Sequence, residues 1–495
     1  MARDPTAVAV IAPGESITYA DLVADVDALA AAFQTLDPRT GDESRVGICA
    51  RNTVEHLLAL LATYAAGKVW VPLNPRNGRA ELDAMIAATR PTLIVADASC
   101  IDRFTPTGAP LVLGKAMNED SRPSVRGLIA EYRRQRPRVI DRRDDDMQII
   151  KFSGGSTGTP KPVVQTVGVL DAQARGLLEF FELDSSDVNL VAAPLTHGTS
   201  CFILPILAAG GRHVLVEDPK PAIVLDALVD HGMTTLYAPP TLIYSLLADP
   251  RIGSRAFPSL RHLIYSAAPM SAARIREAQR VFGPVVETAY GQVEAPQIVT
   301  AMRAREMLSD ENLESVGRAS SVARVGIMNE QGGLVPNGTV GEIVVQGPLV
   351  MKGYLDRPAQ TGETIVDGWL HTGDLGLIDD RGYVYIRGRL RELINTGGFK
   401  VFPGDVETVL ARHPAVEECC VFGADDEKWG EAIHAAVTIK AGAQVDADEL
   451  KAFVKAELDS VKAPKRIHFV TALPRNPAGK VSRASVRSAI LSGSV

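Results

Sequence analysis

A chain of 495 residues carrying a net charge of −7 lacks the basic surface that nonspecific nucleic-acid binding requires. With 46% hydrophobic and 22% charged residues it reads as a soluble globular protein, long enough for about three domains of ordinary size. Its five cysteines (Cys49, Cys100, Cys201, Cys419, Cys420) form no C-x-x-C pair, which argues against a zinc site or a disulfide framework and predicts a reduced, cytoplasmic setting. The opening MARDPTAVAV has no secretory core, and the longest apolar run, residues 57–66, is too short to span a bilayer.

Thr18 to Asp21 reads as a capping box, and Leu22, Val26, Leu29 and Phe33 follow at helical spacing. RVGICA is a short apolar strand, Asn52 is expected to start a helix carrying Leu57, Leu58 and Leu61, and KVWVPL and TLIVAD are further strands. The alternation resumes with VNLVAAP, a THG turn, a helix, HVLVE, AIVLDALVDHG, TTLYAPP, a helix, LRHLIYS, a helix and VVETAYG. Strands alternating with helices predict parallel sheets covered by helices, with ligands gathered beyond the strands' carboxyl ends. From about Gly341 the texture changes to short strands and turns, predicting a β-rich subdomain. Beyond Arg389, FPGDVETVLARHP reads as a helix, ECCVFGA and HAAVTIK as strands, and Leu450, Phe453, Val454 and Leu458 as a helix face. The fold class is therefore α/β. Two doubly wound sheets and the β-rich subdomain form a large domain at residues 1–390, and a small α+β domain follows at 391–495, the boundary falling in RGRLRELIN.

The stretch KFSGGSTGTPKPVV stands apart. Glycines Gly154, Gly155 and Gly158 let backbone N–H groups converge on an anion, and Ser153, Ser156, Thr157 and Lys161 add donors. A polyphosphate suits such a loop. It does not match G-x-x-x-x-G-K-[ST], because Thr159 and Pro160 separate Gly158 from Lys161.

Together with LLALLATYAAGKVWVPLNPRNGRAEL, YGQVEAP, GEIVVQGPLVMKGYL, GWLHTGDLG, GRLRELINTGGFKVFPGDVE and PRNPAGKVSR, this loop resembles the adenylate-forming superfamily, in its acyl- and aryl-CoA synthetase branch. The resemblance spans nearly the whole chain. It implies ATP-dependent activation of a carboxylic acid to an acyl adenylate, with Mg2+, and transfer to coenzyme A. A separate carrier protein is the alternative acceptor. It further implies that the loop from Ser153 to Lys161, with Thr157, holds the β- and γ-phosphates, and that Glu294 is associated with the magnesium. Ala267, Ala268, Thr288, Ala289, Tyr290 and Gly291 would line the adenine side, and Asp374 and Arg389 the ribose. Lys480 matches the catalytic lysine and Arg391 the hinge of a small domain that rotates between half-reactions, after which Gly397 and Gly398 face the site.

The chain departs from that pattern at Gly154, at Pro162, and at Val293, where a phosphate-binding threonine is usual. Amino-acid-activating members carry an aspartate in the segment that here reads PLTHGTSCFILP, with His197 and no acid. A buried ammonium without a partner is costly. The expected substrate is therefore an acid without an α-amino group, with His197, Ala267 and Gly291 walling the acyl pocket. The sequence leaves monomer and homodimer open.

Overall fold

The computed structural model describes residues 4–115, 121–153, 160–475 and 481–493. The predicted phosphate-loop residues Gly154, Gly155, Ser156, Thr157 and Gly158, and the predicted catalytic Lys480, lie outside them.

A nine-stranded sheet forms the middle of the molecule. Val286–Tyr290, His262–Tyr265, Thr235–Ala238, Val188–Val191, Arg212–Leu215 and Val8–Ala12 lie parallel in that order, edged by antiparallel strands on both sides. Burial on both faces explains why these segments read as unbroken apolar runs. A seven-stranded sheet orders Gly353–Tyr354, Lys161–Thr166, Met147–Ser153, Lys68–Pro72, Gly41–Cys49, Leu93–Ala96 and Leu111–Leu113. One core joins the two sheets: Trp70 and Ile149 from the second pack with Val191, Leu195 and Leu215 beside Leu57 and Leu58. Among the described residues no helix is long and apolar enough to cross a membrane.

The helix Tyr19–Leu36 starts as its capping box predicts, the Thr18 hydroxyl accepting from the Asp21 N–H and donating to the Asp21 carboxylate. The expected start at Asn52 is corrected by one residue. Thr53 caps the helix Val54–Ala65, while buried Asn52 donates to the Val191 and Ala193 carbonyls and accepts from the Leu195 N–H at 2.9 Å. Asn is the better N-cap in principle; here its amide is needed as a clip between the sheets, and Thr53 takes the cap. The β-rich region begins earlier than Gly341, at Arg324–Met328, a half-exposed strand with weak apolar signal. It pairs with Gly341–Gln346 in an antiparallel sheet that includes Trp369–Ile378 and Val384–Arg389.

The C-terminal sheet is built on the hairpin of Val416–Asp426 with Gly430–Ile439, covered by the helices Pro403–Arg412 and Ala447–Glu457. The helix Arg483–Leu491, which sequence periodicity did not reveal, packs Val486 against Cys420 and Phe422 on another face. Exposed ion pairs join this unit to the rest: Arg274 to Glu417 at 2.6 Å, Lys400 to Glu330 at 2.5 Å and Arg412 to Glu314 at 3.4 Å. Such pairs contribute little each, typically about 0–1 kcal/mol.

Buried His213 gives the fold a pH dependence. Its Nε2 lies 3.1 Å from the Ile203 carbonyl and its Nδ1 3.0 Å from the Asn189 amide nitrogen, a neutral ring with a proton on Nε2. Burial lowers its pKa to about 4 from the ordinary 6.5. The unfolded chain therefore binds the extra proton between those values, so this stability is full above pH 6.5 and is lost as pH falls toward 4. Urea unfolding should show stability declining below pH 6.5, and His213→Gln should remove up to about 1.4 kcal/mol per pH unit of that slope. Equal slopes in both proteins would contradict the assignment.

Candidate active site

Two loops leave the large sheet side by side, because Tyr265 and Thr288 are register partners at the ends of parallel strands. In the first loop, after Ser266, Ala267 takes φ 76°, a conformation unfavourable for any residue with a Cβ. In the second, a Cβ on Gly291 would lie 2.8 Å from the Gln297 nitrogen and 2.9 Å from the Ala295 oxygen, so only glycine fits. The Gln292 N–H bonds the Ala295 carbonyl at 2.9 Å and closes a tight turn.

Beside that turn lies Asp374, 4% exposed. One of its oxygens accepts from the Tyr290 hydroxyl at 2.7 Å and from the Gln292 amide at 2.6 Å. The other faces the Arg389 guanidinium at 3.0 Å, since the two residues are paired across adjacent antiparallel strands. Gln292 also donates to the Thr372 carbonyl, and the Asp374 N–H to the Thr372 hydroxyl, so side chain and backbone are fixed together. Burial and then the Asp374 carboxylate push the Tyr290 hydroxyl well above its ordinary pKa, keeping it a donor.

A second cluster joins the two large sheets. The Gln165 amide donates to the Val293 carbonyl at 2.8 Å, and the Met351 N–H to the Glu294 carbonyl at 2.8 Å. One Glu294 oxygen accepts from the Tyr354 hydroxyl at 3.0 Å, and the Lys161 ammonium sits 5.2 Å from the centre of the Tyr354 ring. Ser153 and Lys161 are register partners, so the two ends of the glycine segment stand opposite one another beside this cluster. Glu294 fits Mg2+ as part of a mixed shell. It offers a hard oxygen, and Mg2+ commonly takes one or two carboxylates with phosphate oxygens and waters.

The third cluster is formed around His197. Its Nδ1 lies 3.0 Å from the Thr196 hydroxyl, and its carbonyl accepts from the Ser200 hydroxyl at 2.8 Å. A Cβ on Gly198 would collide with the Tyr237 hydroxyl, which lies beside Ser266 and Gln297. The wall therefore runs from the Ala267 loop to His197.

The structure thus brings Thr288, Ala289, Tyr290, Gly291, Asp374 and Arg389 to one place, and Glu294 and Lys161 to another nearby. Ala268 is half-buried in the first loop. Arg391 lies exposed in the short helix Leu390–Glu392, two residues beyond Arg389. Sequence reasoning passed over Gln292, Tyr354 and Gln165. Gln292 occupies the variable position within YGQVE, and Tyr354 is far from it in the chain.

Comparison with known proteins now identifies the class. The model described as "AMP-binding enzyme" matches residues 1–355, and that described as "AMP-binding enzyme C-terminal domain" matches 405–480. The chain belongs to the AMP-binding enzyme family of adenylate-forming ligases. Within it, the chain is 35% identical to feruloyl-CoA synthase from Amycolatopsis sp, covering 98% of this chain and 96% of that one. It is 34% identical to medium/long-chain-fatty-acid–CoA ligase FadD8 of Mycobacterium tuberculosis, covering 93% and 84%. The structure superposes on ATP-bound MatB from Rhodopseudomonas palustris with a TM-score of 0.88, at 30% identity over 99% of this chain and 96% of that one. This protein is an AMP-forming acid–thiol ligase that uses ATP, Mg2+ and coenzyme A.

The Tyr354 contact makes the Glu294 geometry testable. Tyr354→Phe removes a hydrogen bond to a carboxylate, an interaction worth about 1.5–3 kcal/mol. The Mg2+ concentration giving half-maximal ATP consumption should rise roughly tenfold, with little change in melting temperature. An unchanged Mg2+ requirement would mean that Tyr354 does not position this carboxylate.

Proposed function

We propose that the cleft between the two large sheets performs both half-reactions with the following residues. A carboxylate is a poor electrophile, and joining it to AMP supplies a leaving group. Its oxygen attacks the α-phosphorus and the bond to pyrophosphate breaks; the thiol sulfur of coenzyme A then attacks the acyl carbon, and AMP leaves.

The observation that carries the nucleotide assignment is the triply held Asp374. A carboxylate only accepts hydrogen bonds and has about four lone-pair sites. Tyr290, Gln292 and Arg389 fix its plane, occupy three of those sites and leave one for a ribose hydroxyl. Tyr290, Gly291, Thr288, Ala289, Ala267 and Ala268 then border the adenine. Glu294 holds Mg2+, Lys161 and Ser153 flank the β- and γ-phosphates, and the loop residues Gly154 to Gly158, Thr157 among them, complete their shell. Val293 supplies no hydroxyl there; it packs instead among apolar neighbours.

The acid has no α-amino group. The His197 segment carries no acid, and the Lys151 ammonium sits 3.0 Å from Ser200 in that segment, where it would repel a second cation. FadD8 and feruloyl-CoA synthase, named for a fatty acid and an aryl acid, fit that reading. His197, Ala267 and Gly291 wall the acyl group, and coenzyme A rather than a carrier protein accepts it. Residues 391–495 form the mobile domain, turning about Arg391, and its weak ion-pair contacts allow the turn. Five free cysteines fit a cytoplasmic enzyme.

Lys480 is assigned to bridge the carboxylate and the α-phosphate as two anions are forced together. Removing one preorganised electrostatic stabiliser costs on the order of 10²–10³ in rate. Lys480→Ala should lose at least that much in adenylate formation from ATP, yet convert a synthetic acyl-AMP and coenzyme A to thioester at nearly the native rate. Normal pyrophosphate exchange in the variant would refute the assignment. An acid panel in the same assay should give no exchange with amino acids.

A further inference from the structure

The strand Met147–Ser153 presents Ile149, Lys151 and Ser153 on one face by alternation. Lys151 is 9% exposed, and its ammonium meets no acid among the described residues. Its partners are the Ser200 hydroxyl at 3.0 Å and the face of the Trp70 ring, 5.5 Å from the centroid. Lys151, Trp70 and Ser200 line a cavity of about 10 Å³, also bounded by Tyr64, Gln173 and Cys201, with no Asp or Glu in its wall. The Trp70 indole N–H is buried without a partner among the described residues. The Gln173 amide is turned aside, donating to the Cys201 sulfur at 3.2 Å. The Lys151 ammonium, with the Ser200 hydroxyl as its hydrogen-bond acceptor, has donors left over, and the buried indole N–H has no acceptor among the described residues; each would gain from an acceptor in this cavity.

The location says what that acceptor belongs to. Ser200 accepts from Lys151 and donates to the His197 carbonyl, and Tyr237 against Gly198 continues the same wall toward Ser266. The cavity is thus one side chain beyond the segment placed at the acyl group, and its volume admits about one water-sized group. A carboxylate oxygen fits; the end of an alkyl chain would leave both donors dry.

We propose that Lys151 and the Trp70 indole N–H form the far end of the acyl pocket and select an acid carrying a second carboxylate at its distal end. This rests on the proposed placement of the acyl group beside His197.

The test compares matched acids, butyrate with succinate through decanoate with sebacate, and benzoate with terephthalate. AMP release is measured for the wild type, Lys151→Met and Ser200→Ala. In the best pair the wild type should prefer the di-acid in kcat/KM, and Lys151→Met should cut that preference about 10- to 100-fold, as expected for hydrogen bonds to a charge. Ser200→Ala, which only loosens the ammonium, should cut it several-fold and decides the matter should Lys151→Met not fold. A wild-type preference for the mono-acids, or a preference that neither variant alters, overturns the proposal. Were no acid turned over, the proposed function would have failed instead. Thermal shifts then decide this site: stabilisation by a di-acid that Lys151→Met abolishes supports it, and no stabilisation by any di-acid overturns it.

Discussion

The organisation of this enzyme depends on one buried carboxylate. Asp374 comes from the antiparallel sheet, Tyr290 and Gln292 from the end of the central parallel sheet, and Arg389 from the last strand before the C-terminal unit. Burying a charge is tolerable only when donors surround it, and the donors here come from two parts of the chain. Satisfying Asp374 therefore fixes the antiparallel sheet against the parallel one. It also fixes Arg389 two residues before the segment assigned to the hinge. A ribose bound to the same carboxylate would sit beside the joint about which the C-terminal unit is proposed to turn.

The rest of the architecture is divided between rigid and loose contacts in a way that suits two successive reactions. The two large sheets share one apolar core and are clipped together by the buried Asn52 amide and by Gln165 on the Val293 carbonyl. Their cleft is preorganised. The C-terminal unit touches them through exposed ion pairs, which water screens and which are lost at small cost. A chemistry that brings two anions together and later admits a bulky thiol needs a cleft of fixed shape and a cover that moves.

Much of this was legible in the sequence because its signals are local. Parallel strands buried on both faces leave apolar runs, and tight turns leave glycines such as Gly291, whose missing Cβ is required by the Gln297 and Ala295 backbone. What was not legible depends on contacts between distant segments. Asn52 looks like a helix cap and is a clip between sheets. Tyr354 and Glu294 are 60 positions apart and meet only because Gly353–Tyr354 pairs with Lys161–Thr166. Lys151 looks like an ordinary lysine at the end of a strand, and only its burial against Trp70 and Ser200 sets it apart.

The central claim is that Asp374, held by its three donors, is the seat of the nucleotide. Calorimetric titration of AMP into the wild type and into Asp374→Asn tests it most directly, because asparagine keeps the volume and loses charge and half the acceptor capacity. One hydrogen bond to a charged group, worth about 1.5–3 kcal/mol, corresponds to a loss of affinity on the order of 10–10². The account predicts a weakening of that size in a variant that melts as one folded species. Unchanged AMP affinity in such a variant would contradict it.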